Sequence, residues 1–211
     1  MKSKAGIFCI VLGVLLILGA LALALWNHRE DAAAAKSTEE IVPQLVQQIQ
    51  ENTAAENADM EAEIIPELQK PLELLTEEEK KMAEIGIGGH LYIGYLSIPA
   101  LDLELPIMSK WTYEKLLIAP CRYSGSIRGE DLVLMAHNYK SHFGTISQLE
   151  IGDDVIFTDV NGEVTRYAVV GEDVLEPTAV EVMTSGEYDL TLFTCTYGGA
   201  SRVTVYCDML E

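Results

Sequence analysis

Residues 190–207 read LTLFTCTYGGASRVTVYC. Two β-prone runs flank a short loop, and Gly198-Gly199 suits the tight backbone such a loop needs. The first run closes on Cys195 and the second opens on Arg202. In an antiparallel pair the end of one strand faces the start of the next, with backbones about 5 Å apart. Thiol and guanidinium therefore approach one point from adjacent strands. Whether they share a face of the sheet depends on the register, which the sequence leaves open. A nearby cation favours the thiolate, and the thiolate is the nucleophile.

Upstream of this pair the texture is the same as far back as GIGG, residues 86–89. LYIGYLSIP (91–99) and LELPIM (103–108) flank a turn at Ala100–Asp102, and DLVLMAHN (131–138) is a nearly continuous apolar run, as in a buried strand. DVIFTDV (154–160) and EVTRYAVVGEDVLE (163–176) meet at Asn161-Gly162, a strong signal for a two-residue hairpin with positive φ at both turn positions. HFGTISQL (142–149) reads as a short helix between strands. Seven or eight strands with little room for helices indicate an all-β barrel or sandwich.

The N-terminal part differs. Ala5–Trp26 is an unbroken apolar run of 22 residues preceded by Lys2 and Lys4. At about 1.5 Å per residue, a helix of that length crosses a hydrocarbon core of roughly 30 Å. The lysines favour a cytoplasmic N-terminus, with the chain beyond Trp26 on the extracytoplasmic side of the cell membrane. A cleaved signal peptide is the competing reading; its apolar region spans only about 7–15 residues, so the run reads as an anchor. Residues 27–86 carry 15 acids against 5 bases and read as an acidic stalk that charge repulsion extends. Ile41, Leu45 and Ile49 repeat at helical spacing within it, and Thr76 with Glu79 resembles a capped helical turn. Three divisions follow: 1–26 anchor, 27–86 stalk, 87–211 β-domain.

The whole chain carries a formal net charge of −19, which argues against nucleic acid as a partner. Of the four cysteines, Cys9 lies in the apolar run, so an odd number (Cys121, Cys195 and Cys207) is left for the exported domain. Even a Cys121–Cys207 bridge leaves one thiol that asks for a chemical reason. Thiol chemistry on a peptide also needs a proton carrier for the leaving amine, usually His. His28 and His90 are poorly placed, His137 ends a buried strand, and His142 follows in the next loop. Taken singly, a strand-end His is more often structural, and an Arg beside a hairpin more often a surface ion pair of little worth.

Together they match a pattern. TLFTC (191–195) followed by Arg202 resembles the TLxTC…R signature of sortases, the cell-wall transpeptidases of Gram-positive bacteria. LVLMAHNYKSHFGTISQLEIGDDVIFTD resembles the sortase stretch of strand, catalytic His, short helix and GD before the next strand, and that alignment selects His137. The resemblance runs from about Gly89 to Leu210 and implies a closed seven- or eight-stranded sortase-like barrel. It departs from common patterns in Ala136 before the His, in a Cys-to-Arg spacing of seven, in a short Gly171–Asp189 segment, and in a stalk without an Asp-Pro-aromatic lid motif. The subclass stays open.

The resemblance implies a cysteine transpeptidase with Cys195 as nucleophile, His137 as acid and base, and Arg202 as oxyanion donor. Its partners would be secreted proteins bearing a C-terminal sorting signal, with a peptidoglycan precursor or pilin amine as acceptor. Thr194, Leu192, Val174 and Pro177 are the expected substrate-groove residues. No cofactor is called for. Glu172, Asp173 and Glu176 resemble the calcium-binding carboxylates of some sortases, but read more simply as a solvated acidic face. Two other classes fit the same residues: a non-catalytic cell-wall-binding β-domain, and a thiol peptidase that only hydrolyses.

Overall fold

A computed structural model describes residues 4–59 and 81–210; the capped turn expected at Thr76–Glu79 lies outside them. Nine strands form one sheet: β1 (Ile85–Ile87), β2 (His90–Ile98), β3 (Leu103–Met108), β4 (Cys121–Ser124), β5 (Leu132–Ala136), β6 (Asp154–Asp159), β7 (Val164–Leu175), β8 (Leu190–Cys195) and β9 (Arg202–Met209). Their spatial order is β1-β2-β3-β4-β5-β8-β9-β7-β6, and β6 pairs back onto β2. Eight strands thus close into a barrel, with β1 hairpinned onto its outside. At the seam, Gly94 has φ +149, and a Cβ there would clash with the Thr158 carbonyl. Closure at this point therefore needs glycine.

Period-two alternation sorts the side chains. Leu190 and Leu192 of β8, Leu132, Leu134 and Ala136 of β5, and Val205 and Cys207 of β9 fill the interior with Phe143, Phe157 and Tyr167. The alternate positions Val133, Met135 and Phe193 lie on the outer face, covered by Met183 and Leu175. β5 reads as a continuous apolar run because both of its faces are covered. Two pairings are parallel, β3 with β4 and β5 with β8.

The sequence reading missed β1 and β4, which are short and lack alternation. HFGTISQL forms only a 3-10 turn at Ile146–Gln148. The hairpin at Asn161-Gly162 also differs from expectation. Gly162 has φ +83, but Asn161 is not among the positive-φ residues. Asp159 accepts the Gly162 amide and pairs with Glu163, so the loop has three residues, Val160–Gly162. The Asp159 carboxylate takes the Asn161 and Glu163 amides, favouring a turn with glycine last over the two-residue form.

The largest difference concerns the acidic segment. A single helix, α1, runs from Lys4 to Asp59 with Pro43 inside it. Its apolar portion is exposed and long enough to cross a membrane. Beyond Trp26 it does not stand clear as an extended linker but lies along the barrel. Ser141 donates to Asp31 near one end (2.6 Å), and Thr53 donates to the Asn161 carbonyl (3.1 Å) near the other. Between them Leu45 and Ile49 bury against Ile87, Tyr92, Met108, Leu116 and Cys121. Fully burying each such side chain stabilises by about 1.5–3 kcal/mol. The two together contribute about 3–6 kcal/mol, enough to offset the cost of about 3 kcal/mol for proline in a helix, borne here on the exposed side. Charge composition suggested an extended chain; the Ile41-Leu45-Ile49 stripe prevails because a receptive surface exists.

Candidate active site

The register answers the question that the hairpin raised. Cys195, last in β8, pairs directly with Arg202, first in β9. On the other side of β8, Thr194 pairs with Ala136 of parallel β5, so His137 follows beside Cys195. The Thr194 hydroxyl donates to the Ala136 carbonyl (2.9 Å), fastening the two strands one residue before Cys195 and His137. Directly paired residues point to the same side of a sheet. Alternation from buried Thr194 puts Cys195 on the outer face of β8 with Phe193, and His137 follows Ala136 just past the end of β5. Arg202 shares that face.

Environment separates the three cysteines of this domain, all of them free thiols. Cys121 and Cys207 are fully buried, and burial pushes both thiols up to about 12. Only Cys195 is partly exposed. The histidines separate likewise. His142 is fully buried, and desolvation, then the neighbouring His137, brings it down to about 4. It is a neutral core residue.

His137 is half-buried. Its ring stacks on Tyr139 (centroids 4.8 Å, interplanar angle 29°) and meets the edge of Tyr113, from the short helix α2 (Tyr113–Leu116), at 5.9 Å. Its Nε2 is buried with no hydrogen-bond partner among the described residues. Burial holds its pKa below the ordinary histidine value, with the Glu30 carboxylate opposing that shift. Arg202 Nη1 donates to the carbonyls of Gly199 (3.2 Å) and Ser201 (3.1 Å). The loop thus anchors one nitrogen and leaves the other donors of the fork for a ligand.

Beside the three residues the outer face forms an apolar floor of Val133, Met135, Phe193, Met183 and Leu175, with Tyr123 against Phe193 edge to face at 5.4 Å. Trp111 stacks on Tyr123 at 5.9 Å. A separate cavity of about 240 Å³ adjoins Cys195, lined by Asn138, Ser147, Thr196 and Tyr197 among others. Even positions of β8 point inward: Leu192 sits in the barrel core, whereas Thr194, buried on the same side, lines the cavity beside Cys195. Val174 pairs with Val203, one step from the Arg202 position, and is 63% exposed. Its neighbour Leu175 pairs with Arg202 and belongs to the floor. Pro177 lies half-buried in the turn after β7. The sequence reading also missed Tyr113, Tyr139 and Glu30; a Tyr two residues beyond His137 was the one local signal. Among the described residues no three His, Cys, Asp or Glu side chains gather as metal ligands. Glu172 and Asp173 are neighbours on β7 and so face opposite ways.

Residues 96–210 match the family model of the Sortase domain. A stretch of 109 residues is 32% identical to Sortase A of Bacillus anthracis, taking in 49% of this chain and 51% of that one. The chain thus spans about half the length of that curated relative. Among solved structures, a sortase C of Streptococcus pneumoniae superposes with TM-score 0.56 at 22% identity, covering 82% of this chain and 97% of that one. A sortase C of Clostridium perfringens SM101 gives 0.52 at 23% identity, covering 82% and 90%. At these identities the structures establish likeness of fold.

Proposed function

This chain belongs to the sortase family, and on that premise we propose that it is a membrane-anchored cysteine transpeptidase acting on C-terminal sorting signals of secreted proteins. The observation that supports the reading is the paired register of Cys195 with Arg202 and of Thr194 with Ala136, which brings the thiol, the guanidinium and the backbone of His137 to neighbouring strand ends.

In the first step the Cys195 thiolate attacks the scissile carbonyl carbon. The carbonyl π pair moves to oxygen, and the free donors of Arg202 stabilise that oxyanion together with backbone amides near Cys195. Collapse breaks the C–N bond, and the leaving amine takes a proton from the His137 imidazolium, leaving a thioester. In the second step an acceptor amine, from a peptidoglycan precursor or a pilin lysine, attacks the thioester carbonyl. It gives its proton to His137, and the thiolate returns. No net oxidation occurs. The partly exposed side chains of Met135, Leu175 and Tyr123, seated on buried Phe193 and Met183, suit the apolar part of a sorting motif.

With α1 as anchor, enzyme and tethered substrate share one membrane surface and meet at raised effective concentration. The test is transfer of LPxTG-like and NPxTx-like peptides to an added amine. We expect transfer by the wild type, none by Cys195→Ala and almost none by His137→Ala. Hydrolysis alone at saturating amine would make the protein a thiol peptidase. Undiminished peptide binding with no chemistry would make it a binding domain.

A further inference from the structure

Helix α1 does more than tether the barrel, because its first turn beyond the apolar run reaches the histidine. Glu30 stands one turn past Trp26 and accepts from both sides. The Trp26 indole Nε1 donates to Oε1 (2.7 Å), and the Tyr139 hydroxyl donates to Oε2 (3.2 Å). The Tyr139 ring is in turn stacked on the His137 imidazole at 4.8 Å. Next to this contact Asp31 accepts from the Ser141 amide (3.0 Å) and hydroxyl (2.6 Å), pinning the same loop a second time. A half-buried imidazole on a loop, with no hydrogen bond to its Nε2 among the described residues, has no polar restraint at that atom from them to set its ring plane. Stacking against a tyrosine whose far end is tied down supplies one.

We infer that Glu30 is a positioning residue for His137, acting through Tyr139, so that the turn of helix immediately beyond the apolar run forms part of the active site. The inference rests on His137 being the proton carrier proposed above. Glu30 lies four residues past Trp26, roughly 6 Å along the helix. Any tilt or withdrawal of α1 at that point moves the clamp directly. Docking of the remaining helix does not depend on it, since Leu45 and Ile49 are buried independently.

Clamp and charge are separable. Glutamine at position 30 can accept from Trp26 through its oxygen and donate to the Tyr139 oxygen through its amide, keeping the tie and losing the charge. Alanine loses both. The groups that interact with the His137 ring are Glu30 from α1, Tyr113 from α2, and Tyr139 and His142 from its own loop. Of these, Glu30 opposes the effect of burial on the imidazole, so removing its charge moves the His137 titration to lower pH.

The experiment uses the full chain in lipid nanodiscs, with isotope-labelled histidine and a peptide-transfer assay. Glu30→Ala and Tyr139→Phe should each lower kcat about 10-fold with KM little changed, the size expected when a catalytic group is loosened. The double variant should be no worse than the worse single one, because both remove one linkage. Glu30→Gln should keep most of the wild-type kcat at its own optimum, and both Glu30 variants should titrate His137 at lower pH. Multiplicative losses in the double variant, or a His137 midpoint unmoved by Glu30→Ala, would overturn the inference. The midpoint is read without substrate. A wild-type protein that transfers nothing would therefore sink the proposed function and leave this test standing.

Discussion

Thr194→Val is the most searching single change, because it removes one hydrogen atom's bond and almost no volume. Thr194 is 2% exposed and its hydroxyl donates to the Ala136 carbonyl at 2.9 Å. Valine fills the same space, so no cavity term arises. What is lost is one buried hydrogen bond, with an oxygen stripped of a partner, about 1–3 kcal/mol together. For a barrel of this size that is a fall in Tm of about 4 °C per kcal/mol. The more telling effect is local. The bond fastens β5 to β8 immediately before His137 and Cys195 diverge. Loosening that junction by even about 1 Å is enough to cost on the order of 100-fold in the chemical step. The assay is peptide-to-amine transfer measured well below the variant's Tm, beside thermal unfolding of both proteins. A variant destabilised as stated yet transferring at the wild-type rate would refute the claim that this bond sets the thiol–imidazole geometry.

Other consequences are read more simply. Arg202→Lys gives up the planar fork and should lose roughly 3 kcal/mol of transition-state stabilisation, above 100-fold in kcat/KM; near-wild-type turnover would remove Arg202 from its role. Alkylation of the native protein should mark Cys195 and spare Cys121 and Cys207, which are buried with thiols pushed up to about 12, until denaturant exposes them; peptide mass mapping decides. His142 binds its proton at about 4 when folded against 6.5 otherwise, so the unfolded chain protonates first as pH falls. Its contribution is complete above pH 6.5 and drains away down to about pH 4, some 3 kcal/mol in all. Urea unfolding across that window should show a shallower acid loss in His142→Phe than in the wild type, and equal slopes would contradict this origin.

Much of the candidate site was legible because it lies where sequence patterns are least ambiguous. The β8–β9 hairpin announces itself through two alternating runs and a Gly-Gly loop, and Cys195 and Arg202 sit at its two inner ends. Register was not legible. It is fixed by the parallel β5–β8 pairing, which joins residues 58 positions apart and leaves no local trace. That is why Leu192 and Val174 read as groove residues in the sequence, although one faces the core and the other lies one step from Leu175. The docking of α1 was half visible: the Ile41-Leu45-Ile49 stripe predicted an amphipathic helix, but its receptor is assembled from β1, β2, β3 and Cys121. A reading based on charge could not see that surface. The contacts of Glu30 and Asp31 with Tyr139 and Ser141 span more than 100 residues, so only the folded chain reveals them.

The whole scheme requires an acyl group to reside for a time on one sulfur atom. Intact-protein and peptide mass spectrometry, after brief incubation with a sorting-motif peptide and no added amine, should find the N-terminal peptide fragment attached to residue 195 alone. Hydroxylamine should release it. Peptide cleaved with no adduct at that position, or an adduct that persists in Cys195→Ala, would contradict the account.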